Sequence, residues 1–420
     1  MRLHIMMRIL SVERLAVAFA LLAYATIAPA QPAAQSPPVT VAASPTLVRA
    51  RPSEAGFSDA LIPRLDSIIT AAIADSATPG ATVAVGRRGR LVLLRGYGRT
   101  DWAPRAPAAS DSTMYDMASL TKVVSATTAA MILEEEGTLD VDRTVASYLP
   151  EYDVPDKRAI TVRMLLTHTS GIRSYHPLWK DAKGREAYFA GMIKYPLLHD
   201  PGRQALYTDW NMVLLQFIIE RITNQTLDQF MEARVFGPLG MRDTRYNPPA
   251  ALKPRIAPTE VEDFRGGHVW GVVHDETAWV LGGVSGNAGL FSSARDLAVF
   301  MQMLLNGGTY GTATIVRPTT VARWTARQRP DASRALGWDT PSRNSSAGRF
   351  FSLRSFGHTG FTGTSAWVDP ERELFVVLLT NRVNPTRNNQ KIGPLRRAVA
   401  DAVQQSVVDA PLRDWESLLR

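Results

Sequence analysis

Ser119-Leu120-Thr121-Lys122, running on into Val123 to Glu136, is the stretch from which the rest of the chain is read. Leu120, Val123, Val124, Thr127, Ala130 and Met131 recur at three-and-four spacing, the pattern of a helix with one stripe in a core, and Gly137 ends it. On such a helix the Ser119 hydroxyl and the Lys122 amine share a face and lie within mutual reach. A serine hydroxyl is a weak nucleophile unless a base takes its proton, and a lysine is that base only if burial depresses its pKa toward neutrality. The first turn of a helix adds free backbone N–H groups and a positive dipole end, which favour negative charge on an attacked substrate oxygen. Ser-x-x-Lys also arises by chance, so residues elsewhere must decide its meaning.

The chain has 420 residues, enough for a large core in one big domain or two that share an interface. Its formal charge is +8, and Arg2, Arg8 and Arg14 against Glu13 account for two of those charges within residues 1–30. The remaining excess is spread along the sequence, which gives little support to nucleic-acid binding; a solvated surface favouring acidic envelope polymers is the better default. There is no cysteine. Disulfides, cysteine metal sites, a thiol nucleophile and a lipid-modified cysteine are therefore excluded.

Residues 1–30 combine scattered arginines, the apolar run Leu15 to Ala23 and the small-x-small site Ala28-Pro29-Ala30. That pattern predicts a secretory signal peptide cut before Gln31, hence a periplasmic or secreted protein with no stable membrane span after cleavage. An uncleaved anchor is the competing reading, and the apolar run is short for a span. Residues 31–55, rich in Pro, Ala, Gln and Ser, read as a flexible lead. A helix is expected from Asp59 to about Ala74 with Ser58 as its cap, then a hairpin of Thr82–Val85 and Arg90–Gly96 turning at 87–89. Thr161 to Gly171 reads as a short helix closed by its glycine. Tyr207-Thr208-Asp209 precedes the apolar helix Met212 to Ile222, with Thr208 or Asp209 as N-cap. Residues of about 125–300 are mostly helices and loops, including the Gly-rich 281–290. Strands return at Thr364–Val368 and Leu374–Thr380 around the turn 369–372, and a helix follows from Ile392 to about Gln405. Strands at both ends with helices between them give an α+β fold: one antiparallel sheet flanked by helices, with an inserted all-helical lobe. The core domain is assigned to 56–405, with 406–420 as a tail.

The ordered set Ser119-x-x-Lys122, Tyr207-Thr208-Asp209 and His358-Thr359-Gly360 resembles the serine β-lactamase and penicillin-binding protein superfamily, most closely its class C β-lactamase-like branch of D,D-peptidases and esterases. Segments 165–171 and 289–297 also look typical of it. The resemblance implies that Ser119 is acylated and that Lys122 and Tyr207 share the proton transfers. It implies an oxyanion site between the N–H groups of Ser119 and of Phe361, on the strand after Thr359-Gly360. Asp209, His358, Thr359 and Gly360 are the implied substrate-binding residues, and no metal or cofactor is called for.

Two motif positions depart from the family pattern, which has Tyr-x-Asn and Lys-Thr-Gly. An ionised Asp209 accepts hydrogen bonds where an asparagine amide also donates. His358 replaces a permanent cation with one that is conditional near pH 6.5. Both weaken the case for efficient β-lactam hydrolysis and leave D-amino-acid peptides, other amides and esters open. Arg382 is a candidate for restoring a cation at the cleft. His168 invites a Ser-His-Asp triad, but Ser-x-x-Lys already supplies a base and no Gly-x-Ser-x-Gly elbow is present. His274-Asp275-Glu276 are adjacent and point apart, so they read as loop chemistry rather than metal ligands. The leading expectation is an exported serine hydrolase working through an acyl-enzyme on a cell-envelope peptide or related ester. The alternatives are a non-turnover penicillin- or muropeptide-binding sensor and a true β-lactamase. The substrate is small or peptidoglycan-derived, and nothing in the sequence speaks to oligomeric state.

Overall fold

Two strands, β2 (Gly80–Arg87) and β3 (Arg90–Gly98), form the expected hairpin, and Arg88 and Gly89 take φ of 52° and 73° at its tip. Positive φ at both turn positions matches the twist of the flanking strands. The computed structural model describes residues 44–174 and 176–419. The expected signal peptide and residues 31–43 of the lead lie outside the described residues. From residue 44 the lead is ordered: β1 (Val48–Arg49) pairs parallel with β3, Val48 opposite Arg90, and Pro52–Ala55 makes a helical turn.

The C-terminal strands β4 (Phe356–Thr359), β5 (Ser365–Asp369) and β6 (Leu374–Thr380) complete a sheet of order β1-β3-β2-β6-β5-β4. Chain ends meet in its middle, where β6 pairs antiparallel with β2, Val85 opposite Val376. Side chains alternate across the two faces with the period of a strand. Val83, Val85, Leu374, Val376 and Leu378 face α1 (Leu61–Ala74) and a C-terminal helix, Ile392–Gln405. Those two helices bring Leu61, Leu65, Ile69, Leu395, Val399 and Val403 to that core. Ala84, Phe375, Val377 and Leu379 face the larger core shared with the helical residues between β3 and β4. The fold is thus an antiparallel sheet flanked by helices, with one parallel edge strand.

The Ser119 helix is wound wide at its start: Lys122–Thr127 is a π-helical stretch that passes into the α-helix Thr128–Glu135. The Thr128 hydroxyl donates to the Val123 carbonyl, five residues back, at 2.9 Å. Such wide turns commonly re-aim side chains at functional sites. Helix boundaries differ elsewhere. The first helix begins at Leu61, although the Ser58 hydroxyl still accepts from the Ala60 N–H at 3.2 Å. The short helix Val162–Leu166 is followed by His168 at φ 56°, so the left-handed residue is a histidine three positions ahead of Gly171. The apolar helix begins at Asp209 and runs to Thr223, and Thr208 is its cap, accepting from the Trp210 N–H at 3.3 Å. Short strands Met114–Asp116, Arg245–Tyr246 and Leu290–Ser293 form a small sheet in the region read as helices and loops. Beyond the C-terminal helix, Glu416 pairs with Arg397 at 3.1 Å.

Candidate active site

Ser119 follows Ala118, which takes φ 44°, and the Leu120, Thr121 and Lys122 N–H groups each donate to a carbonyl three residues back. This tight turn leaves the Ser119 N–H without a hydrogen-bond partner among the described residues. The turn is sewn to the loop after β4: the Thr362 hydroxyl donates to the Asp116 carbonyl at 2.7 Å and the Thr364 hydroxyl to that of Met117 at 3.0 Å. A Cβ on Gly360 would sit 2.1 Å from Thr364 Oγ1 and 2.4 Å from the Met117 carbonyl, so only glycine permits this approach.

Lys122 Nζ donates to Ser119 Oγ at 2.8 Å and to the Asn287 carbonyl at 2.9 Å, and the Tyr207 hydroxyl donates to Ser119 Oγ at 3.0 Å. Asp209, free of the capping role, places Oδ1 2.6 Å from Lys122 Nζ. Lys122 is fully buried. Burial pulls its pKa down, but the Asp209 carboxylate and the Tyr207 oxygen outweigh that and hold it above the ordinary lysine range. The expectation of a depressed lysine is therefore corrected: an acidic residue where the family has a neutral amide keeps the amine charged. Behind this pair lies the half-buried Asp275, whose pKa desolvation, then Asp209, raise to about 6.

His358 is buried as well. Its Nδ1–H donates to the Thr359 carbonyl at 2.7 Å, which leaves Nε2 to accept from Arg334 Nη1 at 3.4 Å. Burial, then the Arg334 and Lys122 charges, hold its pKa well below the usual histidine value. The conditional cation expected here is thus a neutral ring, and Arg334 supplies the positive charge. Its guanidinium also lies 5.1 Å from the centre of the Tyr207 ring. Arg382 also lines the cleft, as expected, but its guanidinium is engaged by backbone: its Nε donates to the Phe361 carbonyl at 2.9 Å and its Nη1 to the carbonyls of Arg387 and Asn389.

Phe361 lies in a turn rather than on a strand, closed by the Gly363 N–H donating to the Gly360 carbonyl at 3.0 Å. Its N–H is unpartnered among the described residues, and its ring is gripped between Arg382, at 4.5 Å, and the stacked ring of His274, at 5.9 Å. Ser119, Tyr207, Arg334, His358, Thr359, Gly360 and Phe361 together line one cleft of about 520 Å³. His168 makes no bond to Ser119. Its Nδ1 accepts from the Thr208 N–H and from Asn211, and its ring packs 4.6 Å from that of Tyr207.

The residues His274, Asp275 and Glu276 diverge: to Glu260, to Asn287 and to Arg387 respectively. Glu260, Glu262 and His274 do bring possible metal-ligating atoms within 4.8 Å of one another. Arg387 already pairs with both glutamates, so a cation there would have to displace a guanidinium.

The family model described as Beta-lactamase matches residues 65–401. The chain belongs to the beta-lactamase family. A relative from Salmonella agona (strain SL483), named "Putative D-alanyl-D-alanine carboxypeptidase", is 33% identical over 387 residues, covering 83% of this chain and 89% of its own length. A penicillin-binding protein homologue from Caulobacter crescentus has the same fold, with TM-score 0.68 and 23% identity over 84% of this chain and 99% of that one. So does a class C beta lactamase, with TM-score 0.67 and 17% identity over 81% and 98%. Within this family, Arg334 and Asn287 are the neighbours of the motif residues that sequence reading missed. Asn287 sits in a glycine-rich run that marked a tight loop, whereas nothing around Arg334 distinguishes it from a surface arginine.

Proposed function

We propose that this family member is an exported, metal-independent serine hydrolase that forms an acyl-enzyme on Ser119 and acts on a D-alanyl peptide of the cell envelope or a related amide or ester. The observation that carries the reading is that Ser119 Oγ has both Lys122 Nζ, at 2.8 Å, and the Tyr207 hydroxyl, at 3.0 Å, as partners. The carboxypeptidase name of a relative matched over most of both chains supports the substrate class.

Ser119 Oγ attacks the substrate carbonyl carbon while its proton passes to the Lys122–Tyr207 pair. A charged Lys122 cannot accept that proton directly. Passing one of its own to Asp209, 2.6 Å away, leaves both neutral and frees the amine to act as base. The oxyanion is received by the N–H groups of Ser119 and Phe361. Collapse breaks the amide or ester bond, the pair returns the proton to the leaving amine or alcohol, and water then cleaves the acyl-serine by the same path. Arg334 beside the neutral His358 is suited to hold a substrate carboxylate, which favours a peptide acid over a neutral ester. Substrate arrives from the envelope, and cleavage of residues 1–30 would release the protein there. Among the described residues no helix is long and apolar enough to cross a membrane.

The test is active-site labelling with a fluorophosphonate, alongside turnover of D-alanyl peptides and small esters, in wild type and Ser119→Ala. Loss of both signals in the variant is expected. An adduct that persists on Ser119→Ala would place the nucleophile elsewhere, and labelling with neither peptide nor ester turnover would replace the hydrolase by a sensor.

A further inference from the structure

The catalytic cleft does not end at Thr359. A second cavity, of about 880 Å³, opens from it, and the two share Asp339, Thr359, Gly393 and Arg396 as common wall. The extension runs between the 342–346 loop and the first half of the Ile392–Gln405 helix, and Ser342, Ser345 and Ser346 line it on the loop side. It begins at β4, the edge strand of the sheet, whose outer side is engaged by Asp339 at Gly357.

Charge along this groove is unbalanced. Of its carboxylates, Asp339 accepts from the Ser333 hydroxyl and the Thr340 N–H, and Asp401 accepts from the Arg349 N–H. Of its guanidiniums, Arg397 is matched by Glu416. Arg343 and Arg396 have no carboxylate partner among the described residues. Arg343 is exposed and bonds through Nε to the Leu419 carbonyl at 2.9 Å. Arg396 bonds through Nη2 to the Gly360 and Thr364 carbonyls, the frame of the turn that carries Phe361, and its buried Nε has no partner.

We infer that this groove is a subsite for the part of an extended peptide substrate remote from the scissile bond, and that it selects peptides carrying an acidic side chain there. The inference rests on the cleft being a peptide site, as proposed above. A polar wall rich in hydroxyls suits backbone N–H and carbonyl groups, whereas the unpaired Arg343 selects a carboxylate. A dipeptide reaches only the cleft; a longer peptide gains the groove.

Binding is measured in the Ser119→Ala protein, so that turnover is not required. The probes are a D-alanyl-D-alanine dipeptide and two pentapeptides ending in the same dipeptide, one with a glutamate in its remote residues and one with glutamine in its place. The glutamate peptide should bind about two- to fivefold more tightly than the glutamine peptide, the size of one solvent-exposed ion pair. Adding Arg343→Glu should abolish or reverse that preference and leave dipeptide affinity unchanged. Equal affinity for the two pentapeptides, or a preference that survives Arg343→Glu, overturns the inference. Absence of D-alanyl hydrolysis by the wild type would instead sink the proposed function and leave this binding result standing.

Discussion

Asp209 Oδ1 lies 2.6 Å from Lys122 Nζ, so a carboxylate holds as an ammonium the amine proposed as the base. Burial alone would depress Lys122, and Asp209 is the largest influence raising it. Asp209→Asn removes that influence, Lys122 falls, and more neutral amine is present at a given pH. The acid limb of kcat/KM should therefore move to lower pH. An unmoved limb in a full pH–rate profile would show that Lys122 is not the titrating base.

The neutral His358 makes a second outcome definite. Burial, then the Arg334 and Lys122 charges, hold its pKa well below the ordinary value, so the ring stays neutral as pH falls from 7.5 through the ordinary histidine range. The ratio of KM for a D-alanyl peptide acid to KM for its amide should thus stay constant over that range. Arg334→Met should raise KM for the acid by about 10–100-fold and leave the amide unchanged, as expected for loss of one charged hydrogen bond. A ratio that improves on acidification would return the cation to His358.

Two buried histidines also set the acid side of the stability curve. His168 and His358 are both held well below the ordinary histidine value, chiefly by burial, so the unfolded chain binds protons that the folded one does not. Their contribution is complete above about pH 6.5 and declines as pH falls below it, by up to about 1.4 kcal/mol per histidine per pH unit. Urea midpoints at pH 7.5, 6 and 5 should fall in step, and His168→Asn should flatten the fall.

Arg382 holds Phe361 by carbonyl and ring, so in the proposed mechanism it is a positioning residue for the oxyanion site. Arg382→Met should lower kcat by about tenfold with little change in KM, less than the 10²–10³ that follows loss of an oxyanion donor. A boronic acid that mimics the tetrahedral adduct should lose affinity in parallel. A rise in KM with kcat preserved would make Arg382 a substrate contact instead.

Gly360→Ala should damage the site and the fold together, because the added Cβ meets the Met117 carbonyl of the turn that presents Ser119. Slower fluorophosphonate labelling and a lower urea midpoint are expected; a variant normal in both would mean that the two loops are not held together there.

The fold was legible because it is written in local patterns. The C-terminal helix was expected from Ile392 to Gln405 and has those bounds, and the Arg87-Arg88-Gly89 turn was recognised by its glycine. What escaped were relations between distant segments. Whether Asp209 caps its helix or pairs with Lys122 depends on Thr208 taking the capping bond, and both residue types are good caps. The charge on His358 depends on Arg334, which no spacing ties to it. Arg382 follows β6 as expected, yet its guanidinium turns to backbone carbonyls because the Phe361 turn needs a support.

The pairing of β2 with β6 has a consequence in time. Its strands are separated by nearly the whole folded chain, and contacts that close such long loops form late. Ser119, Lys122 and Tyr207 are synthesised well before β4, the Phe361 turn and the C-terminal helix that wall the cleft. A growing chain thus carries Ser119 with only one of the two proposed oxyanion donors, its own N–H, and the cleft is complete only when the residues from Phe356 onward have been made and docked.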